Sequence, residues 1–256
     1  MVVVQSLWIG ETLSDMEVYC IKSFLKQGFT FHLYTYGKVK RIPHGTIIKK
    51  GTDILPKKDI FKLKETLLPF SDIWRYKMLY LKGGYWVDLD MICMKPFDFK
   101  EPYVFSSERT IQKGAYKMKV PFVAHNGILK APKGSEFYKE LYEKCMKTHT
   151  SGKNKDKIKY LRMLRELVDD YKYKKYIKPP SYFCHLDWWY AKDAFMDVPS
   201  FREKYGVPGK TIKSMFTKPY TIHFWRDLVT KKYKLDLNGT YDKNSLWERL
   251  KLYIDS

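Results

Sequence analysis

Tyr85-Trp86-Val87-Asp88-Leu89-Asp90-Met91-Ile92, entered through Gly83-Gly84, sets two carboxylates one residue apart inside an apolar, strand-like run. Side chains alternate across a strand, so this reading puts Asp88 and Asp90 on one face and Leu89 on the other. Two adjacent anions repel each other unless a cation or a proton is shared between them. The cation suited to that task is a hard divalent ion that keeps positions open for phosphate oxygens, Mn²⁺ or Mg²⁺. An Asp-x-Asp at a strand end therefore points to a metal-diphosphate site, although a short acidic pair also arises by chance in turns.

The segment before it strengthens the reading. Phe70 to Lys82 has helical spacing in Ile73, Tyr76 or Lys77, and Tyr80, and Gly83 is suited to end the helix. Pro69 and Ser71 mark the start, with Ser71 expected as N-cap and Asp72 in the first turn, where the helix dipole favours an anion. Asp72 and Arg75 are three apart and share a face. In isolation they form a surface ion pair; next to the acidic pair they belong to a common pocket.

The run SDIWRYKMLYLKGGYWVDLD, residues 71–90, resembles the core signature of glycosyltransferases with an Asp-x-Asp sugar-binding region. These are the family 32 type, polysaccharide and mannosyl transferases, with the large glucosylating toxins as more distant relatives. Further blocks resemble the family in order: Gln5 to Gly10 with its Trp8, Lys95-Pro96-Phe97, Asn126 to Gly134, and Ile222-His223-Phe224-Trp225. The resemblance covers roughly residues 3 to 229. It implies a GT-A-like α/β fold, a Rossmann-like nucleotide-binding sheet flanked by helices. It also implies a hexosyl- or pentosyltransferase using a nucleotide-diphosphate sugar, with UDP as the expected base, Mn²⁺ or Mg²⁺ as cofactor, and retention as the expected stereochemistry.

The site residues implied by the resemblance are specific. Asp90 holds the ion, Asp88 reaches the ion or the ribose, and His223 completes the metal shell. Asp72 and Arg75 grip the donor sugar and phosphate, Trp8 stacks on the nucleobase, and Asn126 touches the donor sugar. Each has a plainer reading: a core Trp at a strand end, a structural His, an Asn-Gly turn. Asp187, in His185-Leu186-Asp187-Trp188-Trp189, is a candidate to orient or deprotonate the acceptor hydroxyl. The family usually has Pro where His185 stands, and a buried aromatic cluster capped by Asp187 explains the block equally well.

Composition is compatible with this. The 256 residues are 45% hydrophobic, enough for one sizeable core, and one domain over 1–256 is expected. Within it, 1–95 is expected to bind the nucleotide sugar, 96–229 to face the acceptor, and 230–256 to form a basic tail or helix. No apolar run is long enough to span a bilayer, and Met1-Val2-Val3-Val4 reads as the start of a strand and not as a signal peptide. Cys20, Cys93, Cys145 and Cys184 are widely spaced, which suggests reduced thiols and a cytoplasmic setting.

Lys+Arg 48 against Asp+Glu 28 gives a net charge of +20, a field that attracts polyanions. No paired-cysteine finger, heptad zipper or RNA-binding consensus accompanies it, so no specific nucleic acid is expected. A basic nucleic-acid-binding protein with an incidental Asp-x-Asp is one alternative, and docking at an anionic membrane surface is a use of the charge compatible with the transferase reading. A haloacid-dehalogenase-like phosphatase is another alternative, but Met91-Ile92 follows the acidic pair where that chemistry needs Thr or Val. The expected acceptor is a glycan or glycoconjugate, as in polysaccharide biosynthesis.

Along the chain, strands are expected at Val2–Trp8, Phe29–Thr35, Thr46–Lys49, Tyr103–Ser106 and Phe122–Leu129, the last two around a loop Glu108–Lys119. Helices are expected at Asp15–Lys26, Ser135–Thr148, Lys155–Tyr176 and Ser245–Ile254, with Lys57–Pro69 a partly helical connector. The strand–helix–strand order suits a parallel sheet. The absence of a G-x-G-x-x-G loop argues against a dinucleotide cofactor.

Overall fold

The computed structural model describes residues 2–110, 122–151, 160–169, 171–197 and 212–256. A six-stranded, mostly parallel sheet runs through it. Its strands are β1 (Val3–Trp8), β2 (Thr30–Thr35), β3 (Ile47–Lys50), β4 (Gly84–Val87), β6 (Val104–Arg109) and β7 (Phe122–Ala131). Their order is β3-β2-β1-β4-β7-β6, with β7 antiparallel to both neighbours. A two-stranded antiparallel pair, β5 (Met91–Cys93) with β8 (Thr221–His223), stands apart.

Val4 to Leu7 of β1 is buried on both faces, as expected of a strand in the interior of a parallel sheet. On one face lies α1 (Asp15–Lys26), opened by a capping box between Ser14 and Glu17, and it buries Met16, Cys20, Ile21 and Phe24. The C-terminal helix Leu246–Asp255 packs against α1 through Tyr19–Trp247 and the Lys22–Asp255 pair. Its apolar residues Leu246, Trp247, Leu250 and Ile254 are buried, so that side faces the core and not a membrane. On the other face lie α2 (Leu68–Lys82), α3 (Glu136–Thr150) and α4 (Tyr160–Val168). Their core contains Trp74, Tyr76, Phe105, Phe137 and Tyr138, of which the two phenylalanines each contribute roughly 1.5–3 kcal/mol on burial.

Three expectations need correction. Helix α2 starts at Leu68 with Leu67 as N-cap, so Ser71 is not the cap. Pro69 fits inside the first turn, where its missing N–H costs nothing, and the helix therefore opens earlier. The run Tyr85–Ile92 is not one strand: β4 ends at Val87, and Asp88-Leu89-Asp90 turns the chain from the large sheet into β5. Asp88 N–H still donates to Gly127 of β7 at 2.8 Å, after which Met91 N–H closes back on the Asp88 carbonyl at 3.3 Å. Pairing of β5 with Thr221–His223 is what draws the strand away.

The helix expected over Lys155–Tyr176 is, in its described part, α4 plus a separate turn at Tyr171–Lys174. The rest of it, and the loop Glu108–Lys119 beyond Thr110, lie outside the described residues. The connector Lys57–Pro69 carries only a short 3₁₀ turn at Lys57–Asp59 before α2 begins. Among the described residues no helix is long and apolar enough to cross a membrane.

Gly83 joins α2 to β4 with φ 65° and ψ −160°, a conformation open only to glycine. A Cβ there would meet Lys133 N at 2.4 Å. The buried Gln5 side chain donates to the Gly83 carbonyl at 2.7 Å, tying the junction to β1. This junction aims the Asp88–Asp90 turn at the carboxyl ends of β1 and β4.

Candidate active site

Asp72, Arg75, Asp88, Asp90, Asn126, His223 and Trp8 converge on one cavity of about 410 Å³, although they come from α2, the turn after β4, β7, β8 and β1. Position follows from topology. Parallel strands β1 and β4 end at the same edge, α2 returns its N-terminal half to that edge, and β8 is brought there by pairing with β5.

Arg75 is the hub. It is 3% exposed, and every nitrogen of its guanidinium has a protein acceptor. Nε donates to the Ser71 carbonyl at 3.2 Å; Nη1 donates to Asp88 at 2.8 Å and to the Asn126 carbonyl at 2.9 Å. Nη2 donates to Ser71 Oγ at 3.0 Å and lies 3.3 Å from Asp72. The guanidinium also stacks over Trp86, 4.5 Å from its ring centre, and Trp86 Nε1 donates to the same Asp88 oxygen at 2.9 Å. Asn126 Nδ2 donates to Asp72 at 2.6 Å. Ser71, displaced from its expected capping role, is thus a partner of Arg75.

Electrostatics separate the three carboxylates. Burial pushes Asp72 up to about 6, against the opposing pull of Arg75. Burial also raises Asp88, again with Arg75 opposing. Burial acts the same way on Asp90, but His223 and the Arg226 backbone N–H outweigh it and hold this carboxyl at about 2. His223 Nε2 lies 3.1 Å from Asp90 Oδ2, and Arg226 N–H donates to that oxygen at 2.8 Å. His223 is held well above its ordinary value, with Asp90 overcoming the opposing effect of burial.

Around this pair stand residues to which the sequence reading gave no role. Trp225 stacks on His223 with ring centres 3.8 Å apart and holds a left-handed backbone at φ 56°. Its indole donates to the Leu186 carbonyl at 3.0 Å. Arg226 donates to the buried Glu17 at 2.6 Å and lies over Trp8 at 5.5 Å. His125 stands 5.1 Å from His223, ring centre to ring centre. Two signals were readable: Trp86 lies two residues before Asp88, and Ser14-x-x-Glu17 is a capping-box pattern.

Trp8 is half-buried at the end of β1, and its Nε1 is a buried donor packed over Gly10, where a Cβ would come within 3.0 Å. The hollow continues past Trp8 into a second one of about 400 Å³ bordered by Lys62 and Lys231. Asp187 is not part of the cavity lining. It is 4% exposed, accepts from Arg109 at 2.7 Å, and precedes the 3₁₀ helix Trp188–Phe195 as its N-cap. The structure therefore does not bring Asp187 into the cavity that the other candidates share.

Asp88, Asp90 and His223 offer two carboxylates and one imidazole to one space. Oxygen donors with a single nitrogen suit a hard or borderline divalent ion such as Mn²⁺.

Comparison with known proteins agrees with this geometry. Residues 10–111 match the family described as glycosyltransferase sugar-binding region containing DXD motif, which includes Asp72, Arg75, Asp88 and Asp90. No match is found among the curated proteins. The chain is similar in structure to the apo-form glycosyltransferase GlyE of Streptococcus pneumoniae TIGR4, with a TM-score of 0.50 and 11% identity over 99% of this chain and 64% of GlyE. The PaToxG glycosyltransferase overlaps 65% of this chain and 68% of its own, with a TM-score of 0.45 and 15% identity. The chain spans about 64% of the length of GlyE, and at 11% identity that likeness is one of fold. Residues 10–111 are therefore similar to the glycosyltransferase sugar-binding region that contains the DXD motif, and all four of the carboxylate and guanidinium residues at the hub of the cavity fall within that match.

Proposed function

We propose that the protein is a metal-dependent transferase that takes a sugar from a nucleotide-diphosphate donor, with UDP as the preferred base, and passes it to a glycan acceptor with retention. The observation that carries the reading is the convergence of Asp88, Asp90 and His223 with Asp72, Asn126 and Trp8 on a single cavity. Asp90 and His223, with Asp88, are the residues that would hold Mn²⁺ or Mg²⁺. When bound, the ion supplies Lewis-acid neutralisation of the departing diphosphate.

The residues divide the remaining work. Asp72, steadied by Asn126, is placed to accept hydrogen bonds from donor-sugar hydroxyls. Trp8 offers a ring face to the base, while Arg226 covers another part of that ring. Arg75 acts differently from the expectation of a direct phosphate grip. Its donors are committed to Ser71, Asp72, Asp88 and the Asn126 carbonyl, so it is a positioning residue that orients the carboxylates. Asp187 is not assigned as base; retention through a same-face displacement, with the departing phosphate taking the acceptor proton, needs no protein carboxylate there.

The test is release of nucleoside diphosphate from UDP-, GDP-, ADP- and TDP-sugars, with and without Mn²⁺, beside an Asp90→Ala protein. Metal-dependent turnover of one donor, lost in the variant, is the expected result. No release from any donor, together with no protection against heating by any nucleotide plus Mn²⁺, would sink the proposal.

A further inference from the structure

The hard-ion reading leaves two buried side chains beside His223 without a task, His125 and Cys184. One ligand atom from each of His125, Cys184 and His223 lies within 4.8 Å of the others. The two nitrogens of His223 face opposite ways: Nε2 is 3.1 Å from Asp90 Oδ2, and Nδ1 is 3.8 Å from Cys184 Sγ. On His125, Nδ1 accepts the Gly127 N–H at 3.0 Å, so in the neutral ring Nε2 carries the proton, 4.0 Å from Glu108.

A thiolate, two imidazoles and a carboxylate within reach are the wrong donors for Mg²⁺ but the right ones for a thiophilic ion. Zinc sites of this composition are four-coordinate, with bonds of about 2.0 Å to nitrogen and about 2.3 Å to sulfur. Side-chain rotation closing the cluster by roughly 1 Å would meet those lengths.

We propose that Cys184, His125 and His223 form a second metal site, for Zn²⁺ or Cd²⁺, behind the Asp-x-Asp site, and that the two sites exclude each other through His223. On binding, the Cys184 S–H and His223 Nδ1–H bonds break and both protons leave to solvent. The His125 proton moves from Nε2 to Nδ1 at the expense of the Gly127 hydrogen bond, and one sulfur–metal and two nitrogen–metal bonds replace metal–water bonds. A neutral imidazole carries one lone-pair nitrogen. With the thiophilic ion on Nδ1, the proton stays on Nε2 and points at Asp90. With a hard ion on Nε2, the proton sits on Nδ1 and faces Cys184. Thiophilic ions are thus competitive inhibitors of the hard-ion site. This exclusion rests on the donor-site reading above; the second site itself does not.

The experiment titrates chelator-treated protein with Cd²⁺ alone and follows the ultraviolet sulfur-to-cadmium absorbance. A stoichiometric, saturating band is expected in the unmodified protein and in Asp90→Asn. Cys184→Ser should abolish the band, and His125→Gln, which removes a direct ligand, should weaken binding by more than the roughly 100-fold that an outer partner is worth. Melting curves establish folding, with Cys184→Ala as the substitute if the Ser variant fails to fold. No band in the folded protein, or an unchanged band in Cys184→Ser, overturns the site. Excess Mn²⁺ with UDP should raise the Cd²⁺ needed for half-saturation. If Mn²⁺ with UDP protects against heat yet leaves the Cd²⁺ titration unmoved, the exclusion is wrong. If it gives no protection while the band obeys Cys184, the donor-site reading fails and the second site stands.

Discussion

Glu17, fully buried in the first turn of α1, accepts the Arg226 guanidinium at 2.6 Å, while the Arg226 backbone N–H donates to Asp90 at 2.8 Å. A helix cap and a metal-ligand candidate are thereby joined through one residue. The same carboxylate closes the capping box with Ser14, so its charge is satisfied from two sides. Glu17→Gln keeps the shape and removes the charge. Outer partners of this kind are worth about 10–100-fold in metal affinity. The variant should melt near the parent temperature but bind UDP with Mn²⁺ about 10-fold more weakly by calorimetric titration. Unchanged affinity would mean that the β5–β8 pairing alone places Arg226.

Arg75→Lys separates two roles. A lysine can replace a guanidinium that meets phosphate as a point charge, but it cannot replace a fork that holds Ser71, Asp88 and the Asn126 carbonyl together. Disrupting a buried ion pair costs about 3–5 kcal/mol. The ligand-free variant should therefore melt well below the parent. Normal melting with donor affinity lost would instead show Arg75 touching the phosphate.

Much of this site was legible because its residues sit in one short block. Asp72, Arg75, Asp88 and Asp90 lie within nineteen residues, and the helix and glycine signals between them fix their relation. The Asp-x-Asp turn reads as strand in the sequence because Trp86-Val87 and Met91-Ile92 have strand composition on both sides of it. What bends the chain is a partner about 130 residues away, Thr221–His223, and local pattern carries no sign of it. Arg226, His125 and Cys184 stayed invisible for the same reason. Asp187 stands out in the sequence as an acid among aromatics, but its pairing with Arg109 is a tertiary fact.

Gly83 and Gly134 both have positive φ, 65° and 75°, yet they differ in surroundings. A Cβ on Gly83 collides with the Lys133 backbone, whereas Gly134 has open space. Gly134→Ala should cost about 1 kcal/mol, the ordinary left-handed penalty. Gly83→Ala adds a backbone clash and a glycine-only ψ, so it should cost about 3 kcal/mol or more. Urea unfolding of the two proteins side by side decides this; equal losses would mean the junction relaxes freely.

Asp72 ties function to stability with a definite sign. Its carboxyl is raised from 3.8 to about 6, chiefly by burial. The folded state therefore holds this proton more tightly than the unfolded chain, and stability from this group falls as pH rises from about 4 through 6. Above pH 6 the protein carries a buried anion that it would be more stable without. Asp72→Asn removes that cost and keeps an acceptor for Asn126. Each tenfold difference in proton affinity between the folded and unfolded chain corresponds to about 1.4 kcal/mol. The variant should therefore gain about 1–3 kcal/mol at pH 7.5 and little or nothing at pH 4. On the proposed function it should also lose donor turnover, because that reading has the carboxylate accept hydrogen bonds from donor-sugar hydroxyls. Unfolding curves at the two pH values, beside nucleoside diphosphate release, measure both halves. A variant destabilised at pH 7.5 would show that the Arg75 pair, and not burial, dominates at Asp72.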